Sequence, residues 1–156
     1  MWTANRSLIV AVALLVSGCG SGPTTAGNVP QLILGEATCA VCGMVVSDPY
    51  YAAASRDDLG ETHTYDSIEC LIMSLRDPGA TPDLQIWLAD RGGGGTLHSA
   101  EEMMVILANY PSPMGKGYAA FRDPTLALEE TKRRGGVSGS LQDFVDGTLQ
   151  QPRRQP

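Results

Sequence analysis

The chain lacks a second Cys-x-x-Cys, the Lys and Ser/Thr of a phosphate loop, any spread of basic clusters, and any apolar run long enough to cross a bilayer. Each absence removes a class of function. With 17 acidic against 11 basic residues and a formal charge of −6, nucleic acid is a poor partner. The lone triplet Lys132-Arg133-Arg134 fits the last turn of a helix, where cations meet the negative end of the dipole. Gly92–Gly95 follows Asp90-Arg91 and reads as a loop tip. A single Cys-x-x-Cys does not complete a four-sulfur zinc site. No Ser/His/Asp arrangement or paired-carboxylate site stands out, so the chain is not read as an enzyme.

What is present begins at the N-terminus. Arg6 is the only charge before an apolar stretch from Ser7 to Val16, well short of the roughly 20 residues a spanning helix needs. Leu15-Val16-Ser17-Gly18-Cys19 then places small residues directly before a cysteine. This resembles the lipobox of bacterial lipoproteins, which makes residues 1–18 a signal peptide and Cys19 an acylated N-terminus. A plain signal peptide cut nearby, or a short uncleaved anchor, is the alternative. Loss of Arg6 with the signal moves the formal charge from −6 to −7.

Of the four cysteines, assigning Cys19 to lipid leaves Cys39, Cys42 and Cys70. Three thiols in an oxidising compartment cannot all pair within one chain. One stays free, or a metal protects some of them.

Residues 19–30 carry no charge and little apolar content, and form the expected lipid-anchored flexible tether. The domain is expected over residues 31–149, with a disordered tail from 150 to 156. Strands are expected at Met44–Val46, Tyr50–Ser55, His63–Asp66 and Leu84–Ala89. A helix capped by Asp66-Ser67 runs from Ile68 to Leu75. In the second half, Ser99-Ala-Glu-Glu reads as a capping box opening a helix through Met103, Met104, Ile106 and Leu107. Tyr118–Phe121 reads as a strand, Asp123-Pro124 opens a helix through Lys132, and Leu141–Leu149 is a short final helix. The fold class is α+β, with two small related strand-strand-helix-strand lobes over about 31–91 and 92–149.

The chemistry concentrates in Cys39-Ala-Val-Cys-Gly-Met44. In an extended segment Cys42 and Met44 point to one face, and a thiolate beside a thioether suits Cu(I) far better than Ca(II), Mg(II) or zinc. Met114 sits in Ser112-Pro-Met-Gly-Lys-Gly117, a stiff turn where apolar packing has no need of methionine, so it is a ligand candidate against loop packing. Met73, Met103 and Met104 read as core filling. His63 is an accessory candidate, while His98 reads as structural. For Cys70 a core role competes with a metal role.

Cys39-x-x-Cys-Gly-Met44, Tyr65-Asp-Ser-Ile-Glu-Cys70, Trp87-Leu-Ala-Asp90 and Ser112-Pro-Met-Gly115 occur in that order. The chain thereby resembles the NosL-type lipoproteins, accessory proteins for copper delivery during maturation of nitrous oxide reductase. The resemblance spans about Cys39 to Asp143. It implies two lobes and a Cu(I) site of Cys42, Met44 and Met114, with Cys39 and Cys70 left as accessory candidates. It further implies a metallochaperone, held at the cell membrane by lipid and facing the periplasm. Its partners would be a copper-accepting cuproenzyme or that enzyme's assembly factors. A thiol–disulfide protein using Cys39 and Cys42 is the competing reading.

The anchor is directly testable. Intact-mass measurement of membrane-extracted protein is expected to show a chain starting at an acylated Cys19. An unmodified Cys19 removes the lipoprotein reading.

Overall fold

The computed structural model describes residues 28–79 and 85–150. The signal peptide, Cys19, most of the tether and nearly all of the tail lie outside the described residues. No helix among the described residues is long and apolar enough to cross a membrane.

Seven strands form one mixed sheet, with three helices packed on it. The first unit comprises β1 (Ala53–Arg56), β2 (Thr62–Tyr65), α1 (Ile68–Leu75) and β3 (Gln85–Asp90). A hairpin partner of β3, β4 (Thr96–Ser99), comes next. The second unit comprises β5 (Met104–Leu107), β6 (Tyr118–Phe121), α2 (Pro124–Arg134) and β7 (Val137–Gly139). The chain closes with the short helix α3 (Leu141–Val145). In each unit the first strand lies between the other two and runs antiparallel to both. The strand-strand-helix-strand order is therefore present twice. The units join where Arg91 N–H donates to the Ala120 carbonyl (2.9 Å), just beyond the Ala89 N–H bond to the Ala52 carbonyl (3.0 Å) inside the first unit. One edge of β3 thus serves first β1 and then β6.

Strand alternation builds a core on each face of the sheet. Val105, Leu107, Tyr118 and Ala120 join Leu88, Ile68, Leu71 and Phe144 beneath α1 and α3. Their neighbours Ile106, Ala108, Ala119 and Phe121 join Tyr51, Tyr110 and Ala127 on the α2 side. Ser67 caps α1 by accepting from the Cys70 N–H at 3.4 Å. Asp123 caps α2 ahead of a proline in the first turn. Arg76, just after α1, donates to the Val145 carbonyl at 2.9 Å and to the Phe144 carbonyl, holding α1 to α3.

Three expected elements differ. The helix expected from Ser99 is instead β4, a single 3-10 turn at Ala100–Glu102, and β5. The Ser99 side chain makes no cap hydrogen bond. Met104–Leu107 is apolar at every position and holds the β-branched pair Val105-Ile106, which suits a strand buried on both faces. The final helix stops at Val145. Met44–Val46 forms no strand, and only an isolated bridge links Val45 to Thr38.

On α2, Glu130 accepts from Arg133, Arg134 and the Tyr110 hydroxyl. The Arg133 guanidinium first, then the Tyr110 hydroxyl and Arg134, lower its carboxyl from 4.5 to about 2. A carboxyl depressed in the folded state stabilises above its unfolded value, and that stability is lost as pH falls through the folded value. Glu130→Gln is expected to cost about 1–2 kcal/mol at pH 7, discounted for the exposed Arg133. Urea unfolding as a function of pH checks this: the difference from wild type should persist down to pH 4.5 and close near pH 2.

Candidate metal centre

Residues 37–46 fold into a tight knuckle. Val46 N–H donates to the Ala37 carbonyl at 2.8 Å, Cys39 N–H to Met44 at 2.8 Å, and Gly43 N–H back to Cys39 at 3.0 Å. Gly43 has φ +74°, a conformation that side chains with a Cβ rarely adopt, so glycine here is a requirement of the turn. The knuckle docks on β2 through Ala40 N–H to the Thr64 carbonyl (2.9 Å) and the Thr64 hydroxyl to the Thr38 carbonyl (2.8 Å).

This docking carries the two knuckle cysteines to the first turn of α1. One ligand atom each from Cys39, Cys42, Asp66 and Cys70 lies within 4.8 Å of every other. All three cysteines are free; Cys39, Cys70 and Asp66 are buried and Cys42 is exposed. Burial pushes the Cys70 thiol well above the usual range, outweighing the Ser67 contact that pulls it down. Partial desolvation also raises the Cys42 thiol, with the Met44 backbone N–H acting in the opposite direction. A cation binding here must displace these protons.

Asp66 was read from the sequence as part of a helix cap. In the structure Ser67 holds that place, and the Ser67 hydroxyl reaches Asp66 Oδ1 at 3.4 Å. Asp66 Oδ2 is buried with no hydrogen-bond partner. A buried carboxylate oxygen without a donor is costly, and the Asp66 carboxyl offers an oxygen within 4.8 Å of the three sulfurs. Three sulfurs and one carboxylate oxygen form a donor set for a soft or borderline cation. The available sequence signal was the spacing of Asp66 and Cys70, one helical turn apart.

The equal-face argument for Cys42 and Met44 needs correction, because Gly43 takes the chain out of strand geometry between them. Met44 is 43% exposed on the knuckle. Met114 is 39% exposed in the 112–117 turn. That turn is tied to α1 by Glu69, the residue before Cys70. Glu69 Oε1 accepts from the Ser112 hydroxyl and from the Lys116 and Gly117 N–H groups, both at 3.2 Å. Gly117 closes the turn at φ +88°, where a Cβ would come within 2.0 Å of the Ala108 carbonyl oxygen. Sequence reasoning missed Glu69, an acidic residue on the buried side of an otherwise apolar helix face.

His63 lies in a different group, with Asp57 and Glu61; its Nε2 is 3.6 Å from Asp57 Oδ2. His98 lies in β4, paired with Leu88.

Two buried thiols and one exposed thiol, clustered on a double strand-strand-helix-strand fold, define an α+β domain equipped for soft-metal chemistry. No protein-family model and no curated protein matches the chain. Among solved structures it is similar to the crystal structure of the copper chaperone NosL from Shewanella denitrificans, with 15% identity and a TM-score of 0.66. The match covers 73% of this chain and 93% of that one. The chain therefore has the NosL fold.

Glu69→Ala strands the Ser112 hydroxyl and the Lys116 N–H, leaves Gly117 N–H only its bond to Ser112 Oγ (2.9 Å), and is expected to cost about 2–3 kcal/mol. Amide exchange should speed up at Lys116 and Gly117 more than at the strand amides of β5. Unchanged exchange at those two amides would show that Glu69 does not hold the turn.

Proposed function

We propose that the chain is a membrane-anchored Cu(I) carrier that holds the ion as cargo and passes it to an extracytoplasmic cuproenzyme. Nitrous oxide reductase is the acceptor implied by the motif resemblance. The observation that carries this reading is the convergence of Cys39, Cys42 and Cys70. Thiolates are the preferred ligands of a soft monovalent ion. The likeness to the copper chaperone NosL supports the same conclusion.

The sulfurs grade from buried to exposed. Cys39 and Cys70 are 3% and 0% exposed, while Cys42, Met44 and Met114 reach the surface. In this reading the buried thiolates retain the ion, and Cys42 with the two thioethers is where an acceptor's ligands displace the protein's own. Lipid at Cys19 and the tether after it confine the domain near a membrane and raise its effective concentration towards an acceptor there.

The thiol–disulfide reading rests on the closeness of the Cys39 and Cys42 sulfurs. Against it, no helix follows Cys42, so no helix N-terminus lowers a thiol there.

The test is anaerobic Cu(I) titration of the reduced protein against a competing chelator. One tight site is expected, lost in Cys42→Ala and in Cys70→Ala. Met44→Leu and Met114→Leu should each weaken it roughly ten-fold, about 1.4 kcal/mol. Asp66→Asn should leave Cu(I) binding nearly unchanged while weakening Zn(II), which accepts oxygen ligands. Unchanged affinity in Met114→Leu removes the thioether role. Reductase or oxidase activity that Cys39→Ala abolishes, with no tight Cu(I) site, makes the redox reading correct.

A further inference from the structure

On the α2 side of the sheet, away from the core that holds the thiols, a groove of about 240 Å³ is lined by Arg91, Gly92, Tyr110, Phe121, Leu126, Glu130, Arg133 and Arg134. Three guanidinium groups face one carboxylate there, in a chain whose net charge is −6. Arg133 and Arg134 both reach that carboxylate, at 2.6 and 2.9 Å.

Arg91 does not. None of the ion pairs among the described residues includes it. Its guanidinium carbon stands 4.6 Å from the Tyr110 ring centre, 4.7 Å from Tyr51 and 5.5 Å from Tyr50. Aromatic faces hold the cation but accept no directed N–H bonds from its terminal nitrogens. One of these, Nη1, is buried with no hydrogen-bond partner. The Tyr51 hydroxyl, in the same aromatic cluster, is also buried and unpartnered. Burial raises the Tyr51 phenol, so it stays protonated as a donor.

A caged guanidinium with an unused fork, beside two further arginines, matches the planar recognition of oxyanions. We infer that this groove binds an oxyanion, a phosphate or carboxylate group held by Arg91 and flanked by Arg133 and Arg134. Glu130 opposes the anion but spends its charge on Arg133 and Arg134. The site is independent of the thiol cluster and of any cargo bound there.

The experiment uses the intact metal-free protein. Inorganic phosphate and, separately, acetate are titrated by calorimetry and by thermal melting, each against sodium chloride at equal ionic strength. Saturable binding and a raised melting temperature are expected with at least one of the two oxyanions and not with chloride. Which anion binds more tightly identifies the source as a phosphate or a carboxylate group. Arg91→Gln should reduce affinity roughly ten-fold or more, the scale of one charge-assisted hydrogen bond. Arg133→Gln, at a side chain that is 60% exposed, should weaken binding, and because Arg133 also pairs with Glu130 its own melting temperature in chloride is the baseline for its response to each oxyanion. That variant keeps the test decisive if Arg91→Gln does not fold. Absence of saturable binding, an equal response to chloride, or affinity unchanged in both variants overturns the proposal.

Discussion

The first turn of α1 is where the two halves of the molecule are fastened to each other and to the thiol cluster. Ser67 caps it, Asp66 and Cys70 project into the thiol cluster, and Glu69 accepts three hydrogen bonds from the turn that carries Met114. Four successive structural duties thus fall within five residues. Glu69 is buried, and the 112–117 turn supplies the donors to its Oε1 from the second unit. The position of Met114 relative to α1 follows from those bonds, because the turn has to present Ser112, Lys116 and Gly117 to Glu69.

The knuckle meets the same turn from the other side. Its backbone bonds close it locally, and its two bonds to Thr64 attach it to β2, the strand leading into α1. The thiols therefore converge from segments separated by some thirty residues without any covalent link. Preorganised donors lower the ordering cost of capturing a cation. Exposed donors at the rim leave a route for exchange. The gradient from buried Cys70 outwards to exposed Cys42 combines both properties in one cluster.

Legibility in the sequence followed the reach of the interactions. The helix Ile68–Leu75 and the strand Tyr118–Phe121 appear where their caps and apolar patterns put them, since those signals are local. The segment after Ser99 misled for a physical reason. Ser-x-x-Glu is a capping signal, but the apolar run behind it supplies side chains to cores on both faces of the sheet, which a strand does and a helix with one buried stripe does not. Met44–Val46 misled in the opposite direction, where glycine at positive φ bends an apparently extended run into a knuckle.

By itself, the sequence determined the chemistry available: two thiols and a thioether within six residues, a further thiol at Cys70, a methionine in a Pro-Met-Gly turn, and an acidic net charge. It also determined the α+β class and the elements whose caps and periodicity act within a few residues. The strand order of the second unit emerged only in the structure, where the run expected as a helix after Ser99 is β5. Only the tertiary structure decided which groups share a site. Cys39, only an accessory candidate in the sequence, stands with Cys42, Cys70 and the buried carboxyl of Asp66. That grouping arises from docking the knuckle on β2 and α1, and no spacing along the chain encodes a contact made across the fold.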